Sequence, residues 1–375
     1  MRVAVVGGGI GGLTAALALK SNGFDVLVFE QAGAFREVGA ALGVGPNAVK
    51  VLRALGLEQE LINRGYEAER FEGRNWTTGE SAFRVPMKGV SDTRYGAGHY
   101  QILRADLLDL LVEAVTDSTI QLDNRCVSVS NGPDCAFVTL SDGRQEAFDL
   151  VVGCDGLHSV VRATLHALDA PRFTGNMCFR AMIPASKLPP NHILPQMTIW
   201  IGPNGHIVTY LVRGGTMVNL VAFMAVPHWV EESWSNESAA SDLVAAYPGV
   251  HSELKVVLDS VDRCFKWGLF DRDPLPTWSQ GRITLLGDAA HPMLPFLGQG
   301  AAAAIEDGYV LARELALSPG DIGVALQAYE AQRIPRTSRI QLAARNQERF
   351  VHQSNRSSSV NSDWLYEFDA TKPPG

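Results

Sequence analysis

The chain reads as an α/β protein: a Rossmann-like nucleotide-binding domain, an antiparallel sheet inserted into it, and helices toward the C-terminal end. Three observations predict this. A glycine cluster lies between two short apolar strands at the start, strands alternate with turns through 176–264, and a second strand-to-helix turn spans Gly287 to Asp307. With 375 residues the chain is long for one hydrophobic core, so two domains are expected. An apolar fraction of 46% and a charged fraction of 19% exclude a largely disordered chain.

The first strand, Arg2 to Val6, runs into Gly7-Gly8-Gly9-Ile10-Gly11-Gly12, and the helical pattern Leu13 to Ser21 follows. Gly7, Gly9 and Gly12 satisfy G-x-G-x-x-G: the first permits the tight turn, the second lets backbone approach a pyrophosphate, and the third allows close helix–strand packing. The second strand, Asp25 to Phe29, ends in Glu30, spaced to accept hydrogen bonds from an adenosine ribose. A six-residue glycine pattern alone could be only a turn; flanked by two strands and an acid it reads as a dinucleotide site. Gly11, Gln31 and Arg36 are counted with it.

Pro46 to Leu55 and Leu57 to Arg64 read as helices. Segment 66–97 scatters Phe71, Trp76, Phe83 and Val85 among polar residues and glycines, as short antiparallel strands do. Arg104 stands just before a helix carrying Leu107, Leu108, Leu110 and Leu111, and Asp142-Gly143 marks a hairpin turn. Strand Asp149 to Val152 then leads into Gly153-Cys154-Asp155-Gly156-Leu157-His158-Ser159-Val160-Val161-Arg162. Farther on, Met197 to Ile201, His206 to Val212 and Met217 to Met224 are strands separated by glycine-rich turns, followed by helices Ala239 to Tyr247 and His251 to Leu258. The nucleotide domain is expected over 1–70, 98–175 and 265–320, with Lys266 to Arg272 returning to it. The substrate domain is expected over 71–97 and 176–264. Asp321 to Arg333 and Pro335 to Phe350 read as two C-terminal helices within 321–352, their arginines forming a solvated face. The Ser- and Asn-rich stretch Ser354 to Ser362 is expected to be mobile by composition, and 353–375 is expected to be a mobile tail.

Gly287 to Asp307 narrows the cofactor. Apolar Ile283 to Leu286 ends in Gly287-Asp288, so a carboxylate emerges at a strand's C-terminal end, where α/β sheets bind ligands. Gly298-Gln299-Gly300 then opens the small-residue helix Ala301 to Ile305, which presents bare N–H groups and about half a positive charge. An acid able to hold a polyol chain, next to a helix start that favours a developing anion, points to a flavin.

Net charge of −8 argues against a broad nucleic-acid or anionic-membrane surface. Five cysteines without a C-x-x-C suggest neither a zinc site nor a disulfide framework, and His291 lacks partners at ligand spacing, so no metal is expected. The first strand begins at residue 2 and no apolar run reaches about 18 residues, so a cytoplasmic protein is expected.

Three segments in order, GGGIGG with Glu30, CDGLHSVVR with Asp155, and GDAAHP with Asp288 and GQGAAAAIED, resemble the single-component, FAD-dependent aromatic hydroxylases, the group A flavin monooxygenases. The similarity covers about residues 1 to 350. Within that family VGPNAVKVLRALGL, FRAMIPASKLP and GHIVTYLVRGG are most similar to the salicylate hydroxylase and 6-hydroxynicotinate 3-monooxygenase branch. The resemblance implies a glutathione-reductase-type FAD domain, tightly bound FAD, and NADH or NADPH as a transient co-substrate. It further implies a small aromatic acid hydroxylated with O2 through a flavin C4a-hydroperoxide, in a monomer or homodimer without nucleic-acid or membrane partners. It assigns Glu30 to the adenosine ribose, Arg104 to FAD contact, Asp288 to the ribityl or pyrophosphate region, and Asp155-Gly156 to the FAD and NAD(P)H pyrophosphates. One glycine fingerprint rather than two agrees with NAD(P)H docking on the FAD domain.

Such chemistry sets three demands. The reduced ring's charge needs donors, which the amides of Gly298, Gln299, Gly300 and Ala301 can supply. Water must be excluded, and Met293, Leu294, Pro295, Phe296 and Leu297 suit an apolar wall, with Pro295 a candidate catalytic position. A hydrogen-bond acceptor should stand beside the substrate phenol. His206 and Tyr210 are the candidates, since residues four apart in a strand share a face, and a Gly214-Gly215 turn pairs Tyr210 with Asn219. Tyr210 matches a tyrosine regarded as a proton acceptor in the hydroxynicotinate enzymes, whereas Gly43 stands where that family uses a histidine. A salicylate or hydroxybenzoate type of substrate is therefore the first choice, with an N-heteroaromatic acid the alternative. Arg84, Arg180 and Arg213 all stay open as carboxylate anchor. The rival readings are a flavin oxidase or dehydrogenase, and a non-catalytic flavin-fold binding protein.

Overall fold

The computed structural model describes residues 1–35, 40–115, 119–166, 171–229, 237–351 and 362–373. The chain begins β1 (Arg2–Val6), α1 (Ile10–Ser21), β2 (Asp25–Phe29), β3 (Ala41–Val44), α2 (Pro46–Ala54), α3 (Glu58–Arg64), β4 (Arg70–Asn75), β5 (Ser81–Pro86) and α4 (Val90–Tyr95). It continues through β6 (Tyr100–Leu103), α5 (Arg104–Ala114), β7 (Ile120–Gln121), β8 (Cys126–Asn131), β9 (Ala136–Leu140), β10 (Gln145–Phe148), β11 (Leu150–Gly153) and α6 (Val160–Leu165). The substrate-side sheet adds β12 (Arg172–Pro184), β13 (Gln196–Gly202), β14 (Gly205–Val212), β15 (Met217–Ala225), β16 (Glu237–Ser238), α7 (Ala240–Ala246), α8 (Ser252–Asp259) and β17 (Cys264–Asp271). The chain closes with β18 (Ile283–Leu285), α9 (Gly300–Leu317), α10 (Ile322–Val351) and α11 (Asp363–Tyr366).

Val3 to Val6, Val26 to Phe29 and Leu150 to Gly153 are almost wholly apolar, the composition of strands covered on both faces. They form a parallel sheet in the order β18-β11-β1-β2-β7. The chain leaves β1 toward β2 on one side and later fills β11 and β18 on the other, which makes the C-terminal ends of β1 and β11 the topological switch point where such sheets bind ligands. Helices α1 and α9 approach closely over this sheet: a Cβ on Gly11 would stand 3.1 Å from the Ala304 Cβ, and one on Gly308 2.7 Å from the Ala15 nitrogen. That contact fixes where the first turn of α9 points.

The second sheet runs β16-β17-β12-β15-β14-β13-β4-β5. Ile207 and Leu211 of β14 pack with Phe179, Trp200, Leu243 and Leu254 into a core beneath α7 and α8. The alternate residues, His206, Val208 and Tyr210, face the other way, into a cavity. Tyr210 pairs with Asn219 as the turn predicts.

Three sequence expectations are corrected. Strand β17, which includes most of Lys266 to Arg272, pairs with β12 in the antiparallel sheet instead of returning to the nucleotide domain; its polar Lys266 and Asp271 suit a strand covered less completely than those of the parallel sheet, and register with β12 places it. Helix α10 runs unbroken through Pro335. A helix-interior proline costs about 3 kcal/mol, and buried ion pairs flanking it, described below, hold the helix together. Finally, residues 362–373 are packed, not part of a loose tail. Leu365 joins Ala303 and Ile340 in a small core, and the Lys50 ammonium donates to the Tyr366 carbonyl at 2.9 Å. Aromatic Trp364, Tyr366 and Phe368 supply apolar area that a Ser- and Asn-rich average hides; 352–361 lie outside the described residues.

Candidate active site

One continuous cavity of about 2260 Å³ is lined by Gly7 and Gly9, by Asp288 and Gly298–Ala301, and by His206 and Tyr210. One small-ligand pocket takes about 300–1,000 Å³, so the space suits a large cofactor together with a second molecule.

At the nucleotide end the glycines divide by role. Gly7 has φ +108°, and a Cβ there would lie 2.4 Å from the Cys154 carbonyl oxygen, so the switch point closes only on glycine. A Cβ on Gly12 would stand 2.0 Å from the Gly7 oxygen. Gly9 differs: a Cβ would meet nothing within 4 Å, because it would point into the cavity. The Glu30 carboxylate accepts from the Gly8 N–H at 2.7 Å and the Ala32 N–H at 2.8 Å, which fixes it beside the loop while it lines the cavity. Gln31 also lines it; Arg36 lies outside the described residues.

Asp155 is brought to the same wall, yet its carboxylate is engaged by its own chain. It accepts from the Ser159 hydroxyl and from the Val160 and Val161 N–H groups at 2.7 and 3.2 Å, capping α6. Burial raises its carboxyl, and these bonds act against that rise. From the same motif, Arg162 donates to the carbonyls of Ala289 and Ala290 at 3.2 and 3.3 Å and so clamps the turn that carries Asp288. Asp288 is exposed to the cavity, and the protein around that cavity desolvates its carboxyl and raises it, with His291 and Arg104 opposing. Arg104 is the first residue of α5 rather than its predecessor; burial lowers its guanidinium, with Asp288 opposing.

Helix α9 starts at Gly300 with no side-chain cap, and Gly298, Gln299, Gly300 and Ala301 line the cavity. Its first N–H groups therefore remain as donors. Behind this start lies a network that sequence reading missed. Asp307 accepts from the Gly287 N–H at 3.1 Å, from His291 Nε2 at 2.5 Å and from Arg333 Nε at 2.6 Å. Glu306 pairs with Arg333 and Arg336, each at 2.7 Å, and accepts from Asn47 at 2.6 Å; Asn47 also donates to Gln299 at 3.0 Å. Arg333, Glu306 and Asp307 are 0% exposed. The arginines expected on a solvated face are thus partly interior: two guanidiniums balance two carboxylates between α9 and α10. Arg345 pairs with Asp271 at 2.6 Å, and the Arg349 side chain lies outside the described ones.

On β14, His206 stacks on Phe223 with ring centroids 4.6 Å apart, and Phe296 stands 5.9 Å away. Pro295 opens a short turn, Pro295–Leu297, and lines the cavity with Met293, Leu294 and Phe296. Burial pushes the Tyr210 phenol up to about 12, with Arg180 opposing, so it stays protonated at neutral pH. His99 is a further residue the sequence did not single out. Its Nε2 would be 3.1 Å from a Cβ on Gly43, and burial pushes its imidazole down to about 4.

A family model described as an FAD binding domain matches residues 1–343. The chain is 37% identical over 382 residues to a 3-amino-4-hydroxybenzoate 2-monooxygenase of Streptomyces platensis, covering 98% of this chain and 96% of that one. It is 35% identical over 381 residues to a 6-hydroxynicotinate 3-monooxygenase of Pseudomonas fluorescens, covering 100% and 96%. This chain belongs to the FAD-dependent aromatic monooxygenases. Its fold is similar to that of Klebsiella pneumoniae HpxO, crystallised with FAD and uric acid, with a TM-score of 0.86, 27% identity, and coverage of 95% of this chain and 90% of that one.

The residues present fit FAD. Gly9 leaves open space where a dinucleotide's pyrophosphate approaches backbone, Glu30 is held at the β2 end, and the uncapped start of α9 faces the same cavity. In this monooxygenase no helix among the described residues is long and apolar enough to cross a membrane.

Proposed function

We propose that this enzyme hydroxylates a small aromatic acid of the hydroxybenzoate type, bearing a ring hydroxyl, with O2 and with electrons from NADH or NADPH. The observation that carries the reading is the continuity of one cavity from Gly9 past the uncapped start of α9 to Tyr210. FAD, when bound, supplies the reducing equivalents and the activation of O2.

In this reading Gly7, Gly9, Gly12 and Glu30 hold the adenosine and pyrophosphate, while Arg104 and Asp288 hold the pyrophosphate and ribityl region. The N–H groups of 298–301 are preorganised donors toward negative charge, each such donor in a dry site contributing about 3 kcal/mol. Met293, Leu294, Pro295 and Phe296 keep water from the reacting centre. Tyr210, protonated at its phenol oxygen, acts as a hydrogen-bonding partner that orients the substrate hydroxyl, not as a phenolate base. His206 borders the ring.

The similarity to 3-amino-4-hydroxybenzoate 2-monooxygenases makes 3-amino-4-hydroxybenzoate the first probe. One observation favours a second reading, a hydroxypyridine carboxylic acid. His99, just before β6, brings an imidazole up to Gly43 on β3, so the group that the hydroxynicotinate enzymes carry at this position has a counterpart from another part of the chain. The test supplies the yellow protein with NADH or NADPH and 3-amino-4-hydroxybenzoate, 4-hydroxybenzoate, salicylate or 6-hydroxynicotinate under 18O2. Substrate-stimulated oxidation with one labelled atom in the ring product is expected. Peroxide with no labelled product would transfer the protein to the oxidases.

A further inference from the structure

Of the three arginines left open as anchor, two are engaged elsewhere. Arg84 pairs with Glu72 at 2.8 Å and is 61% exposed, and Arg213 pairs with Asp106 at 2.6 Å and is 52% exposed. Arg180 lines the cavity. We propose that Arg180 binds the carboxylate of the aromatic acid and is the residue that makes the site select acids over neutral rings. This deepens the hydroxylase reading and rests on it.

The sheet register carries the argument. Arg180 on β12 lies opposite Val221 on β15, and Val221 opposite Val208 on β14. The next row on one side runs Cys178, Phe223, His206, and the next on the other runs Met182, Asn219, Tyr210. Residues two apart along a strand share a face, so Arg180 points to the same side as His206 and Tyr210, one row from each and two strands, or about 10 Å, across. Val208 and Val221 between them carry short apolar side chains. A ring lying on that floor can reach the guanidinium with its carboxylate and the phenol with its hydroxyl.

The guanidinium is held, and among the described residues it makes no ion pair. Its Cζ lies 4.7 Å over the Trp267 ring, which restrains its plane, and its buried Nε makes no hydrogen bond among the described residues. Cys178, the neighbour two residues back, supplies no counter-charge, since burial pushes its thiol up to about 12. A planar fork of donors with its stacking partner in place matches a carboxylate through two parallel bonds, a geometry an ammonium does not reproduce.

The test measures binding to the FAD-loaded protein, through the perturbation of the flavin absorbance, of 3-amino-4-hydroxybenzoate and of its uncharged primary amide. The native protein should prefer the acid by about 100-fold. Arg180→Gln should weaken the acid by about that factor while moving the amide less than about threefold, leaving FAD content and thermal midpoint unchanged. Arg180→Lys, which keeps the charge and loses the fork, should recover only part of the preference. Equal affinity of the native protein for acid and amide overturns the proposal without any variant, as does an Arg180→Gln protein that keeps the preference. These outcomes are separable from failure of the hydroxylase reading: a native protein that hydroxylates a neutral phenol as readily as the acid sinks the anchor alone. One that forms no labelled product from any ring sinks the reading on which the anchor depends.

Discussion

Gly9→Val separates a cofactor-facing glycine from a structural one. Gly9 has φ −75° and ψ −177°, ordinary extended backbone, and a Cβ there meets nothing within 4 Å. The fold without FAD should therefore tolerate valine, and the reduced freedom of the unfolded chain should favour it by about 0.4–1 kcal/mol. With FAD the same side chain fills the approach to the pyrophosphate. Loss of one charge-assisted hydrogen bond costs about 1.5–3 kcal/mol, and the crowding about 1–3 kcal/mol. A combined loss of roughly 2.5–6 kcal/mol weakens FAD by about two to four powers of ten, at about 1.4 kcal/mol per decade. The assay is quenching of flavin fluorescence on titration of the stripped protein, beside its thermal unfolding. Gly12→Ala is the control: its Cβ would stand 2.0 Å from the Gly7 oxygen, so the FAD-free protein itself should unfold at lower temperature. An FAD affinity for Gly9→Val within about threefold of native, or an FAD-free midpoint as low as that of Gly12→Ala, refutes the reasoning.

Other perturbations follow from the same structure. Arg333→Met leaves Asp307 with His291 and Glu306 with Arg336, so the loss should fall near the lower end of the range for a broken buried pair, about 3 kcal/mol, read by denaturant unfolding of the FAD-free protein. Burial pushes the Asp307 carboxyl up, but His291 and Arg333 outweigh it and hold it at about 2. Its depressed folded value contributes stability that is present above its unfolded value near 4 and is lost as pH falls from about 4 to about 2; an acid unfolding curve unchanged by Asp307→Asn would contradict this. Tyr210→Phe should leave FAD content intact and slow ring hydroxylation by about 10- to 100-fold. Because Tyr210 stays protonated up to about 12, its removal should not abolish a kinetic transition between pH 7 and 9.

How much was readable from the linear chain depended on how local the determining interactions are. The turn at Gly7–Gly12 with Glu30, the strand end at Asp288 and the start of α9 announce themselves because each needs particular residues within one turn of backbone. The Tyr210 to Asn219 pairing was likewise derivable, since a hairpin fixes register across a few residues. Other assignments failed where the same short pattern suits two environments. Strand β17 is too short a run to choose its sheet by itself, and Pro335 reads as a helix start although α10 continues through it.

The order of cofactor motifs along the chain, the class of chemistry and the polar stripe of β14 are properties of sequence, because helix starts, tight turns and strand alternation are governed by near neighbours. Which arginine meets a carboxylate is not. Arg333 and Arg180 look like any surface arginine until α9 is laid against α10 and β12 is set two strands from β14. Desolvation and pairing depend on what stands across a gap of several ångströms from residues far away in the chain, and only the packed fold supplies that neighbour.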